Sequence, residues 1–243
     1  MKIKNYSSFF TFENYLQLLV LSIPVLLITG PFLPDFFLTL SSLSFLSYLV
    51  FKKKLYLLNH KMFYFFLIFL SILVLSAILS DYRLKSLITS VGYLRFGIFI
   101  FVISYLINKK NNFIKHLYLI LVTIFLILFF DAITQKITGS NILGVDNPYG
   151  RITSLFGDDI KLGSYITRLT PLLIAISIYL KSNKYFLFSI FAISLILTLI
   201  SGERSSFLMV LIFLAGYLTF STISLKVKSI FILASITFFL LLS

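Results

Sequence analysis

Nine stretches of mostly apolar residues decide what this chain can become. They lie at about 15–30, 32–51, 62–79, 87–107 and 113–133, and then at 162–180, 185–200, 206–222 and 229–243. A helix needs about 20 apolar residues to cross the hydrocarbon core of a bilayer, with a range of about 17–25. The runs are of spanning length or slightly shorter. Their apolar residues do not alternate with period two, which excludes the strands of a membrane barrel. The expected fold is therefore all-α, a polytopic transmembrane bundle of about nine spans with the ninth cut short at Ser243. Residues 1–243 are expected to form a single transmembrane domain. Pro24 and Pro171 fall inside runs, where neighbouring helices tolerate a kink.

Composition agrees. Hydrophobic residues make up 59% of the chain and charged ones 12%, against about 25% charged in soluble domains. The formal net charge is nevertheless +13. On a chain this apolar, with mean hydropathy +1.05, such a charge points to bilayer topology rather than to nucleic acid. The absence of cysteine excludes disulfides, thiolate metal sites and cysteine nucleophiles. Lys2 and Lys4 resemble the start of a signal peptide, but no small-residue cleavage site follows. The first run is expected to be retained as a helix.

With the N-terminus placed in the cytoplasm, alternating loops put thirteen lysines and one acid, Glu13, on the inner side. Seven basic and seven acidic residues fall on the outer side, and Arg95 lies within the fourth run. Basic residues concentrate inside, so this orientation is the expected one. The charge also divides by type. All thirteen inner cations are lysines, whereas the five arginines, Arg83, Arg95, Arg151, Arg168 and Arg204, are outside or within a run. Lysine and arginine serve topology equally well, but only arginine grips phosphate or carboxylate with a planar fork. Arg95 lies about 12 Å along its run and Arg168 about 9 Å along its own, counted from the outer end. Charges at such depths face a partner or a water-filled cavity. One outward-opening anion cavity would account for both. Snorkelling, or pairing with Asp131, is the alternative.

The outer loop at about 134–161 is the one sizeable non-helical stretch expected. Gly139, Gly144, Gly150, Gly157 and Gly163, with Pro148, indicate turns and close backbone approach. Loops of this length are usually functional or disordered, and the apolar residues among the glycines favour function. Asp158 or Asp159 is expected to cap the helix that follows, and Ser205 or Ser206 to cap the helix after the Ser201–Ser206 turn. Adjacent acids without a nearby histidine are weak evidence for a metal, and none is expected. His60 and His116 fall in lysine-containing inner loops and are expected to be interfacial rather than catalytic.

The ordered set Asp131-x3-Gln135-x3-Gly139-x4-Gly144, Gly150-Arg151-x4-Phe156-Gly-Asp and Leu162-Gly-Ser-Tyr165 leading to Pro171 resembles the O-antigen ligase and polymerase family. The Ser201-Gly-Glu-Arg204-Ser-Ser turn, Asp81-x-Arg83 and Arg95 are similar to other parts of its pattern, so the resemblance covers about residues 80–215. One departure is Asp158-Asp159, where family members often carry Asn after the Phe-Gly pair. The resemblance implies a multi-pass glycosyltransferase of the bacterial inner membrane. It would transfer a glycan from a polyprenyl diphosphate donor to lipid A core or to another glycan. It implies no cofactor, and diphosphate binding by Arg151 and Arg204, with Arg95 and Arg168 as further candidates. The family's histidine-bearing outer loop follows later helices. The catalytic base is therefore not assigned, and the chain is expected to be the N-terminal portion of a longer enzyme, inactive at this length.

Two other classes fit the same residues. A transporter or flippase for an anionic lipid or solute would need polar groups deep in the inner halves of the spans, where this chain has few. A noncatalytic scaffold of an envelope assembly would tolerate loss of single arginines.

Overall fold

The computed structural model describes residues 11–146 and 150–220. Among them the chain is all-helical, with nine α-helices: α1 (Phe12–Leu26), α2 (Phe32–Phe51), α3 (Lys61–Ile78), α4 (Arg83–Gly92), α5 (Leu94–Lys109), α6 (Phe113–Thr138), α7 (Leu162–Tyr179), α8 (Lys184–Ile200) and α9 (Arg204–Phe220). The first eight apolar runs each coincide with a helix, α4 and α5 together answering to the fourth. The ninth run, 229–243, lies outside the described residues.

Five rods are long and apolar enough to cross a membrane: α2, α3, α4 with α5, α6 and α7. The helices α1, α8 and α9 are also apolar but shorter. The case for lipid is plainest at α3, where a window of mean hydropathy 2.3 has 6% of its residues buried. A contiguous apolar face of that size is not left to water. This is a membrane protein.

Two compact units divide the chain, Met1–Ile120 and Leu121–Ser243, with the boundary inside α6. The core of the first is built by α1, α2 and α5, with Leu16, Val20, Phe45, Leu49, Val102 and Leu106 interlocked. Polar groups inside it are paired: Ser42 Oγ donates to the Arg95 carbonyl at 2.9 Å, and Tyr105 Oη donates to Glu13 at 3.0 Å. Unpaired, such groups would cost several kcal/mol in an apolar surround, on the order of 4–8 against alkane.

The fourth run is not one uninterrupted helix. At Tyr93 the bonds shorten to three residues, Tyr93 N–H to Ser90 at 3.2 Å and Phe96 N–H to Tyr93 at 3.0 Å. The preceding segment is held by α3 and the turn after it: Ser90 Oγ donates to the Leu73 carbonyl at 3.3 Å and Ser86 Oγ to Ser80 at 3.1 Å. Gly92, a weak helix former, supplies the give. Arg95 consequently stands at the second position of α5, just after this break and near the middle of the rod that α4 and α5 form together.

In the second unit α7, α8 and α9 pack on one another. Their contact carries small and hydroxylated residues, as close helix packing in membranes favours. Thr170 and Ser194, both fully buried, share a 2.7 Å hydrogen bond between α7 and α8. Thr167 Oγ1 donates to the Ser206 carbonyl at 3.2 Å, joining α7 to α9. The helix α6 runs on to Thr138, several residues past the expected span end, and the described residues before α7, 139–146 and 150–161, form no α-helix.

Candidate functional site

The extra turns of α6 place Asp131 and Gln135 one turn apart on one helix face, and both are fully buried. Each holds the segment that returns beside it. Asp131 accepts the Ile142 N–H at 2.7 Å, and its second oxygen accepts the Ser154 hydroxyl in a short bond. Gln135 Oε1 accepts the N–H groups of Thr153 at 3.0 Å and Ser154 at 2.7 Å. Asn141 completes the clamp. Its Oδ1 accepts from Leu143 and Val145, closing a small turn, and its Nδ2 donates to the Ser154 carbonyl at 2.9 Å. Three side chains thus fix the backbone on both sides of Arg151, at 141–145 before it and at 153–154 after it. Asp131 is committed to this clamp and is not the partner of an arginine.

The neighbouring turn, residues 201–203, meets the start of α7. Gly163 is the contact point: a Cβ there would stand 2.7 Å from Ser201 Oγ and 2.9 Å from Glu203 Cδ. Glu203 Oε1 accepts the Gly163 N–H at 2.8 Å, and Oε2 accepts the Ser206 hydroxyl at 2.8 Å. This corrects both capping expectations. The N-cap of α7 is Lys161, which makes no side-chain cap, and Asp159 instead binds Lys161 Nζ at 2.5 Å, while Asp158 is exposed. Across the turn, Ser206 lies inside the first turn of α9 and donates to Glu203. At the start of α7 a carboxylate from the 201–203 turn accepts the N–H that a local cap would have taken, and the same carboxylate takes up the Ser206 hydroxyl.

Arg151 lies along this turn. A Cβ on Gly202 would be 3.7 Å from Arg151 Cγ and 3.8 Å from its Nε, and Gly202, at φ +73°, leaves the face open. Arg204 begins α9 two residues later, and Arg168 stands on α7 five residues after Gly163. All three arginines are exposed. Among the described residues none of their side chains makes a hydrogen bond or an ion pair. Asp131 and Glu203 turn their oxygens to N–H and O–H donors, Asp159 binds Lys161, and Asp158 is exposed; among the described residues none of the four forms an ion pair with these arginines. What the fold leaves at the 201–203 turn is two exposed arginines, Arg151 and Arg204, without an ion-pair partner among the described residues, with Arg168 further along α7. Such an array binds phosphate or carboxylate oxygens in pairs.

Arg95 belongs to the first unit and is differently placed. Its Nη2 lies 2.7 Å from Asp35 Oδ1, Nη1 donates to Thr39 Oγ1 at 3.1 Å, and Nε is buried without a partner. Its charge is therefore already neutralised by Asp35, on α2. Both side chains are about a third to a half exposed (32% and 46%), so the pair is worth about 1 kcal/mol. A double-mutant cycle of Asp35→Asn and Arg95→Gln, read by thermal unfolding in detergent, is expected to return a coupling of that size; additive effects would show that the pair contributes nothing.

His60 accepts the Met62 N–H at 3.2 Å as the cap of α3, and His116 Nδ1 is 2.8 Å from Gln17 Nε2. Both are exposed. Among the described residues no three or more His, Asp or Glu side chains converge on a point that could hold a metal ion. Gln135, Asn141 and Glu203 are the positioning residues that sequence reasoning did not assign, whereas Gly163 stands where close backbone approach is expected. The signal for the first was present, since two polar residues four apart in an apolar helix share a face. Nothing local announces Glu203, whose partner is forty residues away.

Compared with protein-family models, curated proteins and solved structures, the chain matches none of them.

Proposed function

We propose that the protein is a membrane glycosyltransferase of bacterial surface-polysaccharide assembly, of the O-antigen ligase or polymerase type. It acts on a glycan carried by polyprenyl diphosphate at the outer face of the inner membrane, with the N-terminus in the cytoplasm. The acceptor is a sugar hydroxyl, on lipid A core or on another glycan. The observation that carries this reading is the two arginines at the 201–203 turn, Arg151 and Arg204, exposed and without an ion-pair partner among the described residues, the first of them carried by a clamped loop; Arg168 on α7 is a further candidate. In the reaction the acceptor oxygen bonds to the anomeric carbon as the bond from that carbon to the diphosphate oxygen breaks. The bonding pair leaves on the diphosphate. Guanidinium groups already fixed around that oxygen stabilise its charge most in the transition state. The acceptor's proton passes to a base that is not among these residues. Arg95, neutralised by Asp35, takes no part in this reading.

A transporter would use the same charge from two sides. Arg151 and Arg204 flank one turn of the second unit, which favours chemistry from one face. The lysine-rich side, cytoplasmic by charge bias, carries the thirteen lysines and no arginine.

Arg151→Lys tests the assignment because it keeps the charge and topology and removes only the fork. The purified chain in detergent is expected to bind polyprenyl diphosphate more tightly than polyprenyl monophosphate. The substitution should weaken diphosphate binding about tenfold, the loss of one charge-assisted pair of bonds. Equal binding by Arg151→Lys and the parent chain would remove the diphosphate clamp, and with it the support for this function.

A further inference from the structure

Away from the arginines, the first unit carries an amphiphilic groove. One wall is a face of α1, Leu18, Leu21, Val25 and Leu26, and Ile120 of α6 stands opposite; the cavity holds about 750 Å³. Leu18 is 63% exposed and Val25 46%, so the groove is open along its side. From Asn14 to Val25 it follows the helix for about 17 Å, the length of a fatty acyl chain. At its Asn14 end the lining changes to Asn14, Gln17 and His116. A second, smaller cavity of about 300 Å³ continues from the same three residues past Lys109, Lys110, Asn111 and Asn112.

The polar end is built rather than incidental. Gln17 Nε2 and His116 Nδ1 meet at 2.8 Å across α1 and α6, and Lys110 Nζ donates to Asn14 Oδ1 at 2.6 Å. These two bonds hold the head of the groove open with cationic and amide donors facing one space. Lys109 is exposed, and Lys115 stands in sequence beside His116. The one acid nearby, Glu13, accepts the Tyr105 hydroxyl at 3.0 Å and keeps its own charge, so against three lysines, Lys109, Lys110 and Lys115, the head is left net positive. A donor-rich cationic head continuous with an apolar channel of acyl length is complementary to a lipid with an anionic headgroup.

We infer that this groove binds one anionic phospholipid of the surrounding leaflet, its phosphate held by Lys109, Lys110 and the Asn14–Gln17–His116 cluster and one acyl chain lying along α1. The site is independent of the glycosyltransferase reading, since it uses none of the arginines. Its role is that of an annular lipid fixed in place, bridging α1 and the start of α6.

Native mass spectrometry of the full chain, titrated with phosphatidylglycerol or phosphatidylcholine of the same chain length, tests it. Phosphatidylglycerol is expected to be retained as one tightly bound copy, and phosphatidylcholine to wash off. Lys109→Gln alone should lower phosphatidylglycerol affinity several-fold and Lys109→Gln with Lys110→Gln about tenfold or more. The Lys109 side chain has no partner among the described residues, so its variant leaves the fold intact and any loss is one of binding. A photo-crosslinking residue at Leu21 in phosphatidylglycerol nanodiscs should label lipid. Equal retention of the two lipids, or full retention by the double variant, overturns the proposal. So does a Leu21 adduct with residues 221–243, which would make the chain itself the occupant. Polyprenyl diphosphate binding should be unchanged in the lysine variants, which separates this outcome from that of Arg151→Lys.

Discussion

Asp131→Ala is expected to free the segment that carries Arg151 and to destabilise the second unit. The side chain is fully buried and serves two donors, the Ile142 N–H and the Ser154 hydroxyl. Alanine reaches neither. The Ser154 hydroxyl is fully buried, and left without its acceptor it costs about 1–3 kcal/mol; the bond from Ile142, an exposed residue, adds about 1 kcal/mol, so the variant should lose about 2–4 kcal/mol. That is a large part of the roughly 5–15 kcal/mol that typically separates folded from unfolded chains. Gln135 would still hold Thr153 and Ser154, so the segment should open from its Ile142 flank first. Two measurements check this: the thermal midpoint in detergent, and limited proteolysis between residues 140 and 158. Asp131→Asn should fall between the parent chain and alanine, because its carbonyl keeps one acceptor and the Ser154 hydroxyl can turn to accept from the amide. Unchanged cleavage and an unchanged midpoint in Asp131→Ala would show that the segment holds itself without α6.

The helices were legible in the sequence because burial in lipid leaves a one-dimensional trace: spans must be apolar throughout, and eight of the nine apolar runs coincide with observed helices. Boundaries were less legible where polar side chains have long-range partners. Asp131 and Gln135 read as the edge of a loop, yet α6 continues through them because the loop's own N–H groups complete their hydrogen bonding. The break at Tyr93 was hidden for a related reason. Ser86 and Ser90 draw α4 toward Ser80 and Leu73, and no periodicity within 87–107 reports a partner on another helix. Caps failed in the same way. Asp158, Asp159 and the serines have the right chemistry at the right positions, but Glu203, forty residues from Gly163, takes the N–H at the start of α7 and engages the Ser206 hydroxyl as well. Arg95 looked like its three unpaired counterparts until Asp35, sixty residues earlier, appeared beside it. The arginine bias was visible in sequence; which arginines remain free depends on where the acids go, and only the fold states that.

Gly163→Ala should produce the largest loss for the smallest added group. The new methyl would stand 2.7 Å from Ser201 Oγ, 2.9 Å from Glu203 Cδ and 3.0 Å from Glu203 Cβ. Neither neighbour can step aside freely. Ser201 is fully buried with its hydroxyl on the Thr198 carbonyl at 2.8 Å, and Glu203 is tied to Ser206. Overpacking of this kind costs about 1–3 kcal/mol. Moving Glu203 also breaks its bond to the Gly163 N–H, for about 1–3 kcal/mol more, as expected for a hydrogen bond to a charged group. The displacement reaches the proposed site directly, since the turn that must shift holds Gly202 against Arg151 and leads into Arg204. Polyprenyl diphosphate affinity should therefore fall along with the thermal midpoint, by at least the roughly tenfold expected of Arg151→Lys. Gly216→Ala is the internal control. That glycine lies within α9, and a Cβ placed on it would meet nothing within 4 Å, so alanine there should stabilise the helix by about 0.5–1 kcal/mol. It should leave diphosphate binding as it was. If Gly163→Ala behaved like Gly216→Ala, the contact between the start of α7 and the 201–203 turn would not be what sets the arginines in place.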